Sequence, residues 1–411
     1  MEYRTRHAEK RLTELARHFK IVLVTGARQV GKSTLLSHVY PDIRSIVFDP
    51  TLDLYGERRD PDLFLDSFPS PLILDDIQYV PGLLPALKRR IDRSGRKGQY
   101  FLTGSQNLSM LRHVSESLAG RVGFLHLDCM TGQEMAGAGG DSTWLDRFLA
   151  GPDAFLGKAS LLPQTVGPLV RYLWRGSLPG TLDLPDATVP DYMASYVRTY
   201  IERDVRTAAD IRGLADFGRF LALSAALTGQ EINDSQLGRE LGLSPPTARR
   251  WRETLTQTYQ WRELPAFHGN AVKRVSGRRK GHVSDTGLAC WLQRLSSPTS
   301  LLGSPLMGRL FESMVVNLVH QQASAMAVPP AVWHWRASGG AEVDMVLERD
   351  GLLWPIEVKA STALSGHDTR GMRSFRETYG SRPIGTGLVI YAGSVIRKLD
   401  EHTYAVPWNF A

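Results

Sequence analysis

One short stretch constrains this chain more than any other: Gly26-Ala27-Arg28-Gln29-Val30-Gly31-Lys32-Ser33. The apolar run Ile21-Val22-Leu23-Val24 leads into it, and a helix-like run, Thr34-Leu35-Leu36-Ser37-His38-Val39, leads out. Strand, glycine-bounded loop, Lys-Ser and helix is the arrangement of a phosphate-binding loop. The two glycines let the backbone curl so that successive N–H groups point inward, and the following helix adds its free N–H groups and its dipole. The expected ligand is a nucleoside triphosphate with Mg2+, cradled by Gly26, Ala27, Arg28, Gln29, Val30, Gly31, Lys32, Ser33 and Thr34. Lys32 is expected between the β- and γ-phosphates and Ser33 on the metal. Such a loop requires a buried parallel strand behind it, which places the chain in the α/β class.

A second apolar run, Pro71-Leu72-Ile73-Leu74, ends in Asp75-Asp76. Acids at the C-terminal edge of a parallel strand sit where α/β sheets place their ligands. Asp75 is expected to hold Mg2+ through water, and Asp76 to orient or deprotonate the attacking water. A third strand, Gln99-Tyr100-Phe101-Leu102-Thr103, leads into Gly104-Ser105-Gln106-Asn107, which makes Ser105 or Gln106 the candidate γ-phosphate sensor. Ser117-Leu118-Ala119-Gly120-Arg121 precedes another apolar strand, Val122 to Leu127. Arg121 is a candidate for stabilising transition-state charge, in cis or across a subunit boundary.

At 411 residues, with 42% hydrophobic and 22% charged, the chain is long enough for several packed domains. No apolar run reaches membrane-spanning length, and Met1-Glu2-Tyr3-Arg4-Thr5-Arg6 lacks the apolar core of a signal peptide. Cys129 and Cys290 lie far apart, without metal-ligand spacing. A cytoplasmic protein without membrane association is therefore expected. The net charge of +7 and pI near 9.4 suit a polyanionic partner.

From about Trp144 to Ala209 the pattern is helical, interrupted by Arg175-Gly176-Ser177-Leu178-Pro179-Gly180. Within it, Tyr192, Tyr196 and Tyr200 share one face of an amphipathic helix. Residues 211–290 read as a winged helix-turn-helix: a first helix over Phe217 to Leu227, a second over Asp234 to Leu241, the turn Gly242-Leu243-Ser244, and a recognition helix over Thr247 to Leu255. Gly242 suits a helix end, Ser244 a cap, and Pro245 and Pro246 a first turn. The recognition helix carries Arg249, Arg250 and Arg252. A wing running from Leu264 to Val283 is expected to carry Lys273, Arg274, Arg278, Arg279 and Lys280 to DNA phosphates. Further on, Glu312 stands near the start of a helix and Asp344 on a strand. After twelve intervening residues comes Glu357-Val358-Lys359 on its hairpin partner. That is the spacing of metal-dependent nucleases of the restriction-endonuclease type. Alternation puts Glu357 and Lys359 on one face. Asp344 and Glu357 are candidate Mg2+ ligands, Lys359 the group that positions water, and Glu312 a completing ligand.

Together these residues resemble the family of bacterial and archaeal AAA+-type ATP-binding proteins whose C-terminal domain is catalogued as of unknown function. The resemblance rests on Gly26 to Ser33, Leu74-Asp75-Asp76-Ile77-Gln78, Leu102-Thr103-Gly104-Ser105, Ala119-Gly120-Arg121, Tyr196 to Arg206, Ser284-Asp285-Thr286-Gly287-Leu288 and Glu357-Val358-Lys359, and runs nearly end to end. It implies a P-loop AAA+ nucleotide-binding domain over 1–143, a helical lid over 144–210, a winged helix-turn-helix over 211–290, and a restriction-endonuclease-like α/β domain over 291–411. Asp76 stands where the family usually has Glu, which bears on the hydrolysis rate more than on nucleotide binding. The expected function is hydrolysis of ATP by a homo-oligomeric ring that remodels duplex or branched DNA. The alternatives are a nucleotide-dependent switch that binds a protein partner in a toxin–antitoxin or signalling system, and an ATP-gated nuclease.

Overall fold

The computed structural model describes residues 2–104, 118–158, 167–205, 211, 213–270, 272, 274 and 277–410. Alternation along the first strand sets up the N-terminal architecture. Ile21 and Leu23 enter one apolar core, while Val22 and Val24 enter the other, so both faces of the sheet are covered. Helix α1 (Ala8–His18) precedes strand β1 (Ile21–Thr25). Helix α2 (Lys32–Val39), β2 (Arg44–Val47), α3 (Pro61–Ser67), β3 (Leu72–Asp75), α4 (Leu83–Asp92), β4 (Tyr100–Gly104) and β5 (Val122–His126) follow. The strands are parallel in the order β2-β3-β4-β1-β5. Strand β4 is thus inserted between β1, which feeds the glycine loop, and β3, which ends at Asp75.

Among the described residues, five α-helices come next: α5 (Gly132–Met135), α6 (Trp144–Ala150), α7 (Pro152–Leu156), α8 (Leu169–Arg175) and α9 (Val189–Thr199), the last continuing into a π-helical turn over Tyr200–Val205. The tyrosine stripe on α9 joins two parts of the molecule. Tyr192 donates to Gln29 Oε1 at 2.7 Å, while Tyr196 accepts from Gln260 Nε2 at 3.0 Å and Tyr200 pairs with Thr258 Oγ1 at 2.7 Å.

The next module runs helix, strand, helix, helix, strand, strand: α10 (Leu214–Ala226), β6 (Gln230–Glu231), α11 (Asp234–Leu241), α12 (Pro245–Gln257), β7 (Trp261–Leu264) and β8 (Lys280–Val283). Its sheet is antiparallel in the order β6-β8-β7. The local signals are met: Gly242 ends α11 in the left-handed conformation, and the Ser244 side chain accepts from the Thr247 N–H. The strands of the hairpin pair nearer its base than expected, and the segment after β7 turns onto the C-terminal sheet. Phe267 N–H donates to His334 O, and His334 N–H to Pro265 O.

Helices α13 (Thr286–Leu292), α14 (Pro298–Leu302) and α15 (Met307–Ser324) lead into the last module. There β9 (Ala331–Arg336), β10 (Glu342–Arg349) and β11 (Leu352–Lys359) form an antiparallel meander, followed by α16 (Arg370–Tyr379), β12 (Gly387–Tyr391), β13 (Arg397–Asp400) and β14 (Thr403–Pro407). The order is β13-β14-β12-β11-β10-β9, with β11, β12 and β14 mutually parallel. Asp350 and Gly351, both at positive φ, make the turn between β10 and β11. Among the described residues, no helix is long and apolar enough to cross a membrane.

Candidate functional site

The loop after β1 can close only because of its glycines. Gly26 has φ 148°, and a Cβ there would collide with the Leu127 carbonyl on β5's C-terminal extension; Gly31, at φ 94°, precedes α2. Arg6 braces the loop from behind, donating to Val30 O at 2.8 Å and Asp128 O at 2.7 Å while paired with buried Glu134. Lys32 Nζ lies inside the loop on the carbonyls of Ala27 (2.8 Å) and Gly26 (3.1 Å). Burial pushes its ammonium down to about 8, against the opposing pull of Asp76 and Asp75. Ser33 Oγ donates to Asp75 Oδ2 at 2.6 Å, and Thr103 on β4 donates to the other Asp75 oxygen. Asp76 adopts a left-handed conformation (φ 59°), donates its N–H to Thr103 Oγ1 at 3.0 Å and accepts from Gln78 Nε2 at 2.9 Å.

These groups open onto a cleft of about 430 Å3 lined by Arg28, Gln29, Gly31, Lys32, Ser33, Thr34, Asp75 and Asp76, with Pro179, Gly180 and Tyr192 on its far wall. The far wall was not singled out from the sequence. Its signal was the Arg175-to-Gly180 interruption itself, a break in a helical run rich in Gly and Pro. Arg28, expected on phosphate, is instead bidentate to Asp204 of the π-helical turn, at 2.6 and 3.0 Å. Behind the wall, Gly176 (φ 74°) packs against the Asp285 carboxylate, which accepts from Ser177 N–H and caps α13 through Leu288 N–H. A Cβ on Gly287 would in turn strike the Arg175 carbonyl. The Arg175-to-Gly180 and Ser284-to-Leu288 motifs therefore interlock.

Several expected site residues lie elsewhere. Ser105, Gln106 and Lys273 fall outside the described residues. Arg121 is not brought to the cleft: it precedes β5 at the sheet edge opposite the glycine loop and pairs with Asp92. Of the cations assigned to DNA, Arg250 is exposed, as are Arg249, Arg278 and Arg279, which each face one carboxylate. Arg252 is instead held between Asp234 and Glu263. Arg274 stacks on Phe267 and Trp333 and pairs with Glu348 at 2.8 Å, because the hairpin leans on the C-terminal sheet. Lys280 is only 8% exposed and points away from any wing tip.

Lys280 enters the second constellation. Glu312 on α15, Asp344 on β10, and Glu357 and Lys359 on β11 do converge. Lys280 Nζ stands 2.6 Å from Glu312 Oε1 and 3.5 Å from Asp344 Oδ1, Asp344 Oδ2 accepts from Val358 N–H, and Lys359 pairs with Glu357 Oε1 at 2.7 Å. Burial, reinforced by the Asp344 charge, pushes the Glu312 and Glu357 carboxyls up to about 8. Asp344 and Glu312 hold Lys280 charged despite its burial. Among the described residues, no group of three or more His, Cys, Asp or Glu is arranged to hold a metal ion. The expected Mg2+ site of Glu312, Asp344 and Glu357 is thus not formed: an ammonium occupies its carboxylate oxygens.

Three families match consecutive parts of the chain: "AAA domain" over residues 18–136, "Domain of unknown function (DUF8612)" over 167–299 and "Domain of unknown function (DUF4143)" over 307–411. The second match runs unbroken across the interlocked motifs. Uncharacterized proteins of Mycobacterium tuberculosis and Mycobacterium bovis are each 27% identical over 403 residues, covering 98% of this chain and 83% of the relative. Among solved structures, a Walker-type ATPase of Pyrococcus abyssi is 14% identical with TM-score 0.43, covering 71% of this chain and 99% of its own. The RuvB Holliday junction branch migration motor of Thermotoga maritima is 17% identical with TM-score 0.31, covering 67% and 92%. With the glycine loop, Ser33 against Asp75 and the parallel sheet behind them, residues 18–136 are an AAA-type P-loop ATPase domain.

Proposed function

We propose that this protein couples ATP hydrolysis to the movement of a DNA-contacting module, acting as a homo-oligomeric ring on duplex or branched DNA. The observation that carries the reading is the cleft itself, with Ser33 Oγ on Asp75 and Lys32 inside the loop. The residues fit Mg·ATP: Gly26 has no room for a Cβ against the Leu127 carbonyl, Gly31 turns at a positive φ, and Ser33 and Asp75 offer hard oxygen donors. Bound Mg2+ would neutralise phosphate charge. Lys32 would exchange carbonyls for phosphate oxygens, and Asp76, held by Gln78 and Thr103, would orient water.

The DNA half draws on the helix-strand-helix-helix-strand-strand order of a winged helix, with α12 as its recognition helix. Arg249, Arg278 and Arg279 rim a cleft of about 600 Å3 between α12 and the hairpin, and Arg250 is exposed beside it. The test is ATP turnover by the full chain, alone and with single-stranded, duplex, forked and four-way-junction DNA, with Lys32→Ala as control. Stimulation by one DNA form supports the motor and names its substrate. Turnover indifferent to every DNA overturns the DNA half and leaves the ATPase standing. The pairing of Arg252, Arg274 and Lys280 within the fold favours one second reading, a nucleotide-dependent switch docking a protein. Recovery of one stoichiometric protein partner without nucleic acid would then be the outcome.

A further inference from the structure

The carboxylate cluster of the C-terminal sheet is closed from outside its own module. Lys280 belongs to β8 of the three-stranded sheet, yet its ammonium lies on Glu312 of α15 and Asp344 of β10. A hard divalent cation would need those same inward oxygens. Two further groups face the cluster with unused capacity. Glu357 Oε2 is buried without a hydrogen-bond partner, and so is His282 Nε2, which stands 3.9 Å from Glu312 Oε1 on a fully buried ring. The site has the oxygen donors of a cation centre and a lysine where the cation would sit.

We propose that Lys280 is the resident cation of this cluster: it shuts divalent metal out and pins the three-stranded sheet to the C-terminal sheet. The reasoning is one of charge and space. Buried carboxyl groups in low dielectric must take up either a proton or a compensating cation. Lys359 neutralises Glu357 from the rim, half-exposed, while Lys280 does so for Glu312 and Asp344 from within. An ammonium on a four-carbon stem places its charge against the same oxygens without the six or more ligands a hard cation demands. The pin is also placed to matter. Five residues on from Lys280, Asp285 at the N-cap of α13 accepts from Ser177 N–H behind the nucleotide cleft, so the short segment from β8 to α13 touches both centres. This inference is independent of what the nucleotide cleft acts on.

The experiment is Mn2+ titration of the nucleotide-free full chain, read by the electron paramagnetic resonance of free Mn2+ and by thermal unfolding. Wild type should take up no Mn2+ that Asp344→Asn abolishes. Lys280→Met, which keeps length and removes charge, should gain a site about 10- to 100-fold tighter than any residual wild-type binding there. That site should disappear in Lys280→Met/Asp344→Asn, and Mn2+ should raise the melting temperature of Lys280→Met more than that of wild type. Lys280→Arg, which keeps the charge, should stay metal-free. Wild-type uptake lost on Asp344→Asn overturns the proposal even if Lys280→Met does not fold. A folded Lys280→Met that gains no site overturns it equally.

Discussion

Asp76 illustrates how backbone conformation selects a side chain. Its left-handed φ of 59° is a region where Asp is enriched among non-glycine residues and longer side chains are not. The shorter acid is thus matched to its turn, a constraint that residue identity in a sequence does not display. Lys32 yields a prediction at the same scale. With its ammonium pushed down to about 8 by burial, it loses its proton above that pH in the free cleft, whereas triphosphate oxygens favour the charged form. ATP binding should therefore take up a proton above about pH 8 and weaken as pH rises, with little effect below it. Calorimetric heats measured in buffers of different ionisation enthalpy report that uptake; heats independent of buffer above this pH would contradict the assignment. The sign for stability is opposite. The unfolded chain binds more protons between about 8 and 10.5, so this one group adds stability as pH rises through that window.

At the scale of elements, legibility followed sequence distance. The glycine loop, the Gly242 and Ser244 signals of the α11–α12 turn and the pairing of β10 with β11 are readable because their causes lie within a few residues. The inward placement of Arg274 and Lys280 is not legible because their β10 partners, Glu348 and Asp344, lie 74 and 64 residues away, on a strand whose approach no local pattern encodes. The interlock of Gly176 with Asp285 belongs to the same class: both motifs were visible, but not their contact. It is also testable. Gly176→Ala must accommodate a positive φ and a Cβ driven into the Asp285 carboxylate, at a combined cost of about 2–4 kcal/mol. Denaturant unfolding should show that loss. In an Asp285→Ala background the same substitution should cost measurably less, because the collision is gone and only backbone strain remains. Equal costs in the two backgrounds would show that the interlock is not what holds α8 against α13.

At the scale of the molecule, basic residues divide into two populations that composition alone merges. The net charge of +7 suits a polyanion, but charge already spent inside the fold does not reach one. Arg252, between Asp234 and Glu263, and Arg274, on Glu348 and two aromatic rings, are structural cations. Arg249, Arg250, Arg278 and Arg279 remain on the surface around the α12 cleft. If that surface meets DNA phosphates, replacing any one of the four by Ala should weaken binding similarly on all sequences. It should also lower the slope of log affinity against log salt by about 0.9 for each lost phosphate contact on a duplex. Arg252→Ala and Arg274→Ala should instead remove the more buried of the two cations on each of their carboxylates, Asp234, Glu263 and Glu348, costing about 1–3 kcal/mol of stability. For those two, DNA affinity should fall only as far as the folded fraction does. Salt titrations of binding beside unfolding curves for all six variants separate the two populations. Unfolding losses in the first four without a change of salt slope would remove DNA from this face and leave a docking surface for protein, since surface arginines serve that role as well.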